Sequence, residues 1–306
     1  MATKTPARSL MMLHAIVLIF GFTGILGKEI QQDSAFIVLL RTAIGAVGIA
    51  FFMFVLRPGR AKGFKWHWPT ALVGLIIAAH WITFFESIKV SKVSVALAVI
   101  ASGAMFVALL NPLIRRKPFT WTELVLGGLA VVGIVLIFGF ETGYMLGIIL
   151  GLISAALAAT FTVLNAQLVE QGKPLHISLQ ELSLGCAGVL VYLLVRDGAD
   201  FWPETITAWD WTNLLVLGLV ATSFAFVVSV DVMREISPFT MALTINLEPV
   251  YTIILALAIY GEEEHMSGGF YVGTAVLLGT IFLQTILNRR NKLAAETVAQ
   301  AQCPPH

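Results

Sequence analysis

The sequence predicts an all-α integral membrane protein in which ten transmembrane helices form two inverted five-helix repeats. Composition is the first reason: hydrophobic residues fill 58% of the 306 positions and charged residues only 12%, against about 25% charged residues in soluble domains. The second is that the apolar residues fall in long runs, with a mean hydropathy of +0.88. The third is an internal repeat that relates the two halves of the chain.

Ten apolar runs follow one another and leave little chain for a soluble domain. Each is long enough to cross a hydrocarbon core of about 30 Å, which takes roughly 20 helical residues. Lys4 and Arg8 precede the first run as in a secretion signal, but no small-residue cleavage site follows, so we expect this run to stay in the protein. The runs, numbered below as spans 1 to 10, are 10–30, 35–56, 69–89, 93–114, 121–140, 144–168, 177–196, 211–232, 238–260 and 267–288.

The distribution of basic residues predicts that both termini are cytoplasmic. Cytoplasmic loops collect Lys and Arg. With the N-terminus inside, fourteen basic residues fall on cytoplasmic segments and four on outer segments, while Arg41 lies within span 2. The acidic loop 197–210 and the run Glu262–Glu264 then face outward. The net charge of +1 gives no sign of nucleic-acid binding, and no such partner is predicted.

The internal repeat is clearest between spans 3–5 and spans 8–10. A short polar link (91–94 or 234–237) leads into a span that ends in a polar turn (115–118 or 261–264), and a Gly-rich helix follows. The offset is about 143–146 residues. An odd number of spans per repeat makes the two copies antiparallel, an arrangement typical of secondary transporters with a substrate site at the midplane. The alternative is chance similarity between oily helices.

These observations predict a first repeat over 1–140 and a second, inverted repeat over 141–290. We expect the remaining residues, 291–306, to form a disordered cytoplasmic tail because they are polar and end in Pro-Pro-His.

Several short motifs stand out in the second half of the chain: Leu243–Val250 (LTINLEPV) is followed by Tyr260-Gly261-Glu262 and, in the next helix, Gly273. This pattern resembles the second half of the EamA-type proteins of the drug/metabolite transporter superfamily, similar to bacterial amino-acid and metabolite exporters. Arg41 and Phe22-Thr23-Gly24 resemble features of the first two helices of these proteins. Lys117-Pro118 departs from the family pattern, which usually has an acidic residue there. Over residues 10–288, the resemblance implies a ten-helix carrier whose cavity is lined chiefly by spans 1, 3, 4, 6, 8 and 9.

Glu248 is the first candidate for transport chemistry. An ionisable residue inside a span costs roughly 2.5–3.5 kcal/mol on insertion scales, so it usually faces a cavity or a partner. Glu248 shares a helix face with Thr244 and Tyr251, and the adjoining Pro249 removes a backbone hydrogen bond, which predicts a kink. These residues are candidates for substrate binding, with Glu248 and Pro249 also for gating or coupling. The alternative is a structural Glu248 paired with Arg41 or His80.

His80, Trp81 and Phe84 form a second candidate group in span 3. A histidine there can hydrogen-bond substrate or titrate near neutral pH, and Trp81 can stack on a ring or a cation. The alternative readings are a neutral His80 bonded to a neighbouring helix and a Trp81 that only packs.

Three further candidates come from other spans. Asn165 can hydrogen-bond substrate from span 6, or else join two helices, and Phe226 shares a face of span 8 with Thr222 and Ser229. Arg41 is a candidate for gating or coupling, but we expect it to snorkel to the outer surface or pair there. Lys28 and Glu29 are candidates for an outer gate.

Motifs for other function classes are missing. Two cysteines, Cys186 and Cys303, exclude a disulfide framework, and there is no Walker loop, His-Glu-x-x-His helix or Gly-x-Ser-x-Gly elbow. We therefore predict no cofactor, no metal and no enzymatic activity.

The sequence as a whole predicts a secondary transporter of the cell's inner membrane that exports small organic metabolites by alternating access. Amino acids, in particular aromatic ones, or amphipathic drugs are the predicted substrates. Facilitated diffusion and proton coupling through Glu248 both stay open, as do monomer and homodimer. The rival hypotheses are a nucleotide-sugar or sugar-phosphate exchanger and, from another class, an intramembrane enzyme.

Overall fold

The computed structural model describes residues 7–116, 121–140, 142–236, 238–245 and 247–301, and this part of the chain is helical with no β-strand. Seven helical segments in it are long and apolar enough to cross a membrane. They coincide with predicted spans 1–4 and 6–8, and they are Arg8–Glu29, Ser34–Leu56, Trp68–Val90, Val93–Arg115, Thr142–Gln171, Pro174–Phe201 and Ala208–Val232. Spans 5, 9 and 10 also coincide with helices, but their crossing of the membrane stays a prediction.

The helices are numbered here in chain order. The first half contains α1 Ala7–Glu29, α2 Ser34–Phe51, α3 Trp68–Val90, α4 Val93–Ile100, α5 Gly103–Arg115 and α6 Trp121–Phe140. The second half contains α7 Met145–Gln171, α8 Pro174–Asp197, α9 Ala208–Gly218, α10 Ala225–Val232, α11 Pro238–Ile245, α12 Leu247–Tyr260 and α13 Gly268–Ala301.

Two of the spans depart from a regular α-helix in mid-membrane. Span 4 is interrupted between α4 and α5, where Ala101 and Ser102 form a turn before Gly103. Ser and Gly favour such interruptions because Ser bonds to nearby backbone and Gly gains conformational freedom outside the helix. Span 8 contains a π-helical segment, Leu219–Phe224, between α9 and α10, and segments of this kind are often found at functional sites.

The packing is centred on α3, which contacts both α7 and α8, and on α1, which contacts α10 and α12. Helix α2 packs on α8, and α6 packs on α13. Glycines bring backbones close together: a Cβ atom at Gly74 would lie 1.9 Å from the carbonyl oxygen of Glu181, and one at Gly273 would lie 2.8 Å from that of Gly133. Only glycine fits where helices approach so closely.

The outer surface of the bundle is suited to lipid. Large apolar side chains such as Val47, Val55, Val191 and Val195 are exposed on it. Exposed tryptophans lie in the loop after α2 and, at the opposite end of the bundle, around the start of α9, as in the aromatic belts of membrane proteins. Those tryptophans are Trp66, Trp68, Trp202, Trp209 and Trp211.

Two sequence predictions concern the C-terminal tail and the segments around Lys117-Pro118 and Pro249. The last helix runs on to Ala301, so residues 291–301 are helical in place of the predicted disordered tail. This stretch is rich in Ala, Lys, Glu and Gln, which have high helix propensity. Lys117-Pro118 and residue 246, where a kink near Pro249 is predicted, lie outside the described residues.

Candidate functional site

A central cavity opens between helices from both halves of the chain. It contains about 930 Å³ of empty space, part of it open to solvent. Its walls come from spans 1, 3, 4, 6, 8 and 9, the six that the family resemblance implied, and also from span 2 through Arg41. The interrupted span 4 borders it through Ile100, Gly103 and Ala104. The cavity therefore lies beside two helix irregularities, the turn in span 4 and the π-helical segment of span 8.

Arg41 is held in the cavity wall by two contacts. Its Nε donates a hydrogen bond of 2.8 Å to Thr222 Oγ1, and its guanidinium carbon lies 3.8 Å from the ring centroid of Trp81. Arg41 is only 3% exposed. The expected snorkelling to the outer surface is therefore wrong: a guanidinium stacks well on an indole face and is more weakly hydrated than an ammonium, so it can be kept inside.

The π-helical segment of span 8 places the residue that holds Arg41. Thr222 lies within that segment, and its hydroxyl donates 2.8 Å to the carbonyl of Leu217 while accepting from Arg41. The hydroxyl proton is thus used inside the helix, so the oxygen lone pairs face the guanidinium. Arg41 is fixed in orientation rather than merely accommodated.

Glu248 reaches the same cavity from α12. Among the described residues no ion pair within 4.0 Å joins it to Arg41, although their charges interact across the cavity. The backbone of Glu248 is tied to α1 through Thr252, whose hydroxyl lies 2.9 Å from the Glu248 carbonyl and 2.7 Å from that of Gly21. The cavity wall thus contains the cation of Arg41, held in a fixed orientation, and the carboxyl of Glu248, with no direct contact described between the two groups.

His80 is oriented by a reciprocal contact with α7. Ser154 donates its hydroxyl proton to the His80 carbonyl at 3.0 Å, while His80 Nδ1 lies 2.8 Å from Ser154 Oγ and 3.0 Å from the Ser154 carbonyl. With the serine proton committed, we assign the imidazole proton to Nδ1, which donates to these oxygens. Nε2 is then an acceptor, available to an N–H or O–H donor in the cavity.

Aromatic rings line much of the remaining wall. Trp81 and Phe226 meet edge to face with centroids 5.9 Å apart, and Phe161 lies 5.5 Å from the His80 ring. Phe84 and Phe20 also line the cavity. Flat apolar surfaces around a few fixed polar groups are typical of small-molecule sites.

The structure brings together six of the predicted site residues at this cavity: Arg41, His80, Trp81, Phe84, Phe226 and Glu248. Three others do not reach its wall. Asn165 is fully buried against α8, Thr244 is buried in α11, and Tyr251 is 37% exposed on the outside of α12. Helical spacing puts Tyr251 and Glu248 on one face of α12, but it does not tell which part of that face the neighbouring helices cover. In the structure they cover only part of it. The side chain of Pro249 lies outside the described part of the chain.

Several wall residues were not among the predicted site residues. Phe161 and Met241 are apolar and look like ordinary packing residues in a membrane sequence, so no signal marks them. The interruption of span 4 carried a signal, because Ala101-Ser102-Gly103 places three small residues in mid-span. Thr23 and Ser229 lay in stretches that the sequence did single out.

A second polar cluster, the outer cluster, joins the ends of α1 and α12 to the start of α4. Glu264, fully buried, lies 3.0 Å from Lys28 Nζ and accepts from the backbone amides of Val93 and Ser94 at 3.3 and 3.0 Å. Tyr260 donates a 2.8 Å hydrogen bond to Glu29, and Lys28 lies 3.7 Å from the Tyr260 ring centroid. Lys28 and Glu29 thus take part in a contact that holds this end of the bundle together.

The cavity wall offers charged, polar and aromatic groups that can bind a small molecule. In the described residues no group of three or more His, Cys, Asp or Glu could hold a metal ion. Arg41, Glu248 and His80 offer a cation, a carboxyl and a neutral acceptor within an aromatic enclosure. This set suits a molecule with both anionic and cationic ends.

The helices and the cavity define the chain as a multi-pass membrane protein built around a central cavity. The chain matches the EamA-like transporter family over residues 7–139 and 145–288, and it belongs to that family. An uncharacterized transporter of Bacillus subtilis (strain 168), YxxF, is 21% identical over 263 residues, 83% of this chain and 82% of the relative. An uncharacterized transporter of Archaeoglobus fulgidus is 23% identical over 274 residues, 88% of this chain and 94% of the relative.

The fold also has a counterpart among solved structures. A crystal structure superposes with a TM-score of 0.68 at 15% sequence identity, covering 93% of this chain and 99% of the other. The family membership and the two transporter relatives point to a transporter rather than an enzyme.

Proposed function

We propose that the protein is a secondary carrier of small zwitterionic metabolites, with amino acids, in particular aromatic ones, as the leading substrates. The supporting observation is the cavity that buried Arg41 and half-buried Glu248 both line among aromatic side chains, with no ion pair between them in the described part of the chain. Arg41 pairs with the substrate carboxylate, since a guanidinium matches a carboxylate in two parallel hydrogen bonds. Glu248 and His80 Nε2 receive the substrate ammonium, and Trp81, Phe84 and Phe226 contact the side chain.

Transport then proceeds by alternating access between two inverted five-helix repeats. The packing pattern supports this arrangement. Span 3 packs on spans 6 and 7, and span 8 packs on spans 1 and 2; span 4 packs on span 6, and span 9 on span 1. Spans 5 and 10 pack on each other. If each span number is shifted by five, every one of these contacts maps onto another of them or onto itself, as a twofold relation between repeats requires. The two separate family matches agree with this relation.

The orientation that follows puts both termini in the cytoplasm, with the outer cluster on the far side of the inner membrane. Export is the proposed direction. The contacts of the outer cluster tie α1 and α4 to the segment after α12 at one end of the bundle, which supports a cycle in which the substrate enters from the opposite, cytoplasmic side and leaves when these contacts part.

A nucleotide-sugar or sugar-phosphate exchanger is the less favoured alternative. A phosphate-bearing substrate calls for two or more Lys or Arg in the cavity, but Arg41 is the one basic side chain, apart from His80, in the described wall. The substrate is therefore better sought among carboxylates with an ammonium group.

Counterflow in proteoliposomes tests the proposal. Vesicles loaded with one unlabelled amino acid or organic cation at a time receive the labelled compound, for wild type, Glu248→Gln and the control Glu170→Gln. Glu170 pairs with Arg115 at 3.5 Å, away from the cavity wall. We expect saturable exchange of an aromatic amino acid in wild type and control, and loss of that exchange in Glu248→Gln with the protein still folded. Exchange that Glu248→Gln leaves unchanged would contradict the assigned role of Glu248.

A further inference from the structure

A buried carboxyl that the cavity wall does not include lies between α7 and α8. Glu181 is 0% exposed, as is Asn165, the residue of α7 that it meets. Asn165 Nδ2 lies 3.5 Å from Glu181 Oε2, which is longer than a well-formed N–H···O hydrogen bond. The contact holds the carboxyl weakly at one oxygen.

The other polar atoms around this carboxyl lack partners. Glu181 Oε1, Asn165 Oδ1 and Ser178 Oγ are buried atoms with no hydrogen-bond partner within the described part of the chain. Ser178 precedes Glu181 by three residues on α8, so the two share a helix face. A buried polar atom without a partner costs about 1–3 kcal/mol, so three of them in one place indicate that something is bound there in the working protein.

No cationic side chain neutralises Glu181. None of the ion pairs in the described residues includes it, and Asn165 is its one polar side-chain contact there. An ionised carboxylate in such a place is very costly, and a proton removes the charge outright. Side-chain ligands are too few for a sodium ion, since only three unpartnered oxygens are present.

No other charged or titratable group described on α8 or on the helices that pack on it makes a contact with Glu181. The packing helices are α2, α3, α7 and α10. The groups are Arg41 and His80 in the cavity wall, Lys89 on the backbone carbonyls of Ile30 and Gln32, Glu86 in the last turns of α3, Glu170 with Arg115, Asp231 with Arg234, His176 on the Arg60 carbonyl, the half-buried thiol Cys186, Tyr192 beside Arg196, and Arg196 with Asp33 and Asp197.

The site has a short connection to the cavity. Thr162, a wall residue, precedes Asn165 by three residues on α7, which is about 4.5 Å along a helix at 1.5 Å per residue. Both side chains lie on the same face of α7. Water in the cavity can thus approach the carboxyl after a small movement of α7 against α8.

We propose that Glu181 binds and releases a proton as the carrier changes conformation, with Asn165 and Ser178 completing the site. On uptake, a proton leaves a hydronium ion in cavity water and forms an O–H bond on the carboxylate. On release, that O–H bond breaks and the proton returns to water on the other side of the membrane. This assigns the coupling proton to Glu181, and leaves Glu248 to bind substrate.

Infrared spectroscopy of the full-length protein in lipid nanodiscs tests the protonation directly, with H⁺ and D⁺ as the probes. We expect wild type to show the C=O stretching band of a buried protonated carboxyl, which disappears as the pH is raised over the range in which the protein stays folded. Glu181→Gln should lose this band, and the control Glu170→Gln should keep it. A band that is absent from wild type, unchanged in Glu181→Gln, or constant at all pH values would overturn the proposal.

Asn165→Leu keeps the proposal testable if Glu181→Gln fails to fold. This variant retains the carboxyl but removes its amide neighbour, so the band should remain and shift in frequency. If the band does not shift, the protonated carboxyl does not lie next to Asn165, and the assignment to Glu181 is contradicted. A band that Na⁺ removes at constant pH, while K⁺ does not, would replace the proton site by a sodium site.

The claim that Glu181 couples proton movement to transport rests on the proposed function. The claim that Glu181 binds a proton, which infrared spectroscopy tests, does not. In proteoliposomes, Glu181→Gln should keep counterflow, which needs no net proton movement, but lose accumulation driven by a pH gradient. Accumulation equal to wild type would overturn the coupling role. Failure of wild-type counterflow would count against the proposed substrates alone, because the infrared result stands separately.

Discussion

The guanidinium of Arg41 is buried inside the protein, although no ion pair holds it among the residues that the structure describes. A desolvated cation over an aromatic face is stabilised by about 2 kcal/mol, and the hydrogen bond to Thr222 adds a charge-assisted contact. The remaining guanidinium N–H groups are left for a ligand. Since the contacts with Trp81 and Thr222 set the orientation of the group, its geometry matters as much as its charge.

Replacing Arg41 by Lys tests this point. Lysine keeps the charge but not the planar fork that matches a carboxylate, so we expect the half-saturation concentration in counterflow to rise roughly tenfold or more. The matched control is Arg115→Lys, which makes the same exchange at a residue paired with Glu170 outside the cavity wall. A normal half-saturation concentration for Arg41→Lys would mean that Arg41 is structural.

Of the glycines that the structure describes, Gly74 allows the closest contact between two helices, at the crossing of α3 and α8. Gly74 faces the carbonyl of Glu181, and a Cβ atom at Gly185 would lie 2.8 Å from the carbonyl of Gly74. The obstacle in both cases is backbone, which cannot rotate away as a side chain can. This crossing therefore sets the distance between the two helices.

The variant Gly74→Ala should destabilise the protein by at least about 3 kcal/mol, at the upper end of overpacking effects, because the helices must separate. In Gly128→Ala the added methyl meets nothing within 4 Å, and alanine is the better helix former by about 0.5–1 kcal/mol. We expect a lower unfolding temperature for the first variant and an equal or higher one for the second, measured in the same detergent. Equal unfolding temperatures would show that the crossing yields easily.

Sequence reasoning was most successful with the elements and least with their contacts. Apolar run length gave the bounds of spans 1–4 and 6–8 to within a few residues, because crossing the bilayer imposes a length on each helix. It also found Glu248 and His80, since polar residues stand out in an oily helix. It expected Arg41 at the outer surface and could not choose between the two roles of Asn165, because which neighbour covers a given helix face depends on packing that one-dimensional spacing does not contain.

For the whole molecule, the outer cluster is the contact that must part if the proposed alternating access opens this end of the bundle. Its bonds join α1, α4 and α12, which come from both halves of the chain. Charge-assisted hydrogen bonds are worth about 1.5–3 kcal/mol each. If such bonds form in one conformation and not in the other, they shift the equilibrium population toward the conformation that contains them.

Glu264→Gln should therefore shift the population toward the outward-open form by roughly ten- to a hundredfold, if one charge-assisted bond is lost. The readout is labelling of Thr23→Cys, a cavity-wall position, by a membrane-impermeant maleimide added outside, after Cys186 and Cys303 are replaced by Ala. Labelling should be faster with Glu264→Gln than without it. The control Glu262→Gln changes an exposed neighbour in the same acidic run and should leave the labelling rate as it was.

The stacking of Arg41 on Trp81 also gives the protein an internal optical reporter. Among the tryptophans whose side chains are described, Trp81 is the buried one, and a cation lies 3.8 Å from its ring centroid. Indole emission responds to nearby charge, so a bound carboxylate that draws the guanidinium away from the ring changes the fluorescence of this residue, and Trp81→Phe identifies the source of the change. Compounds can thus be screened for binding in unlabelled form, before any transport substrate is known.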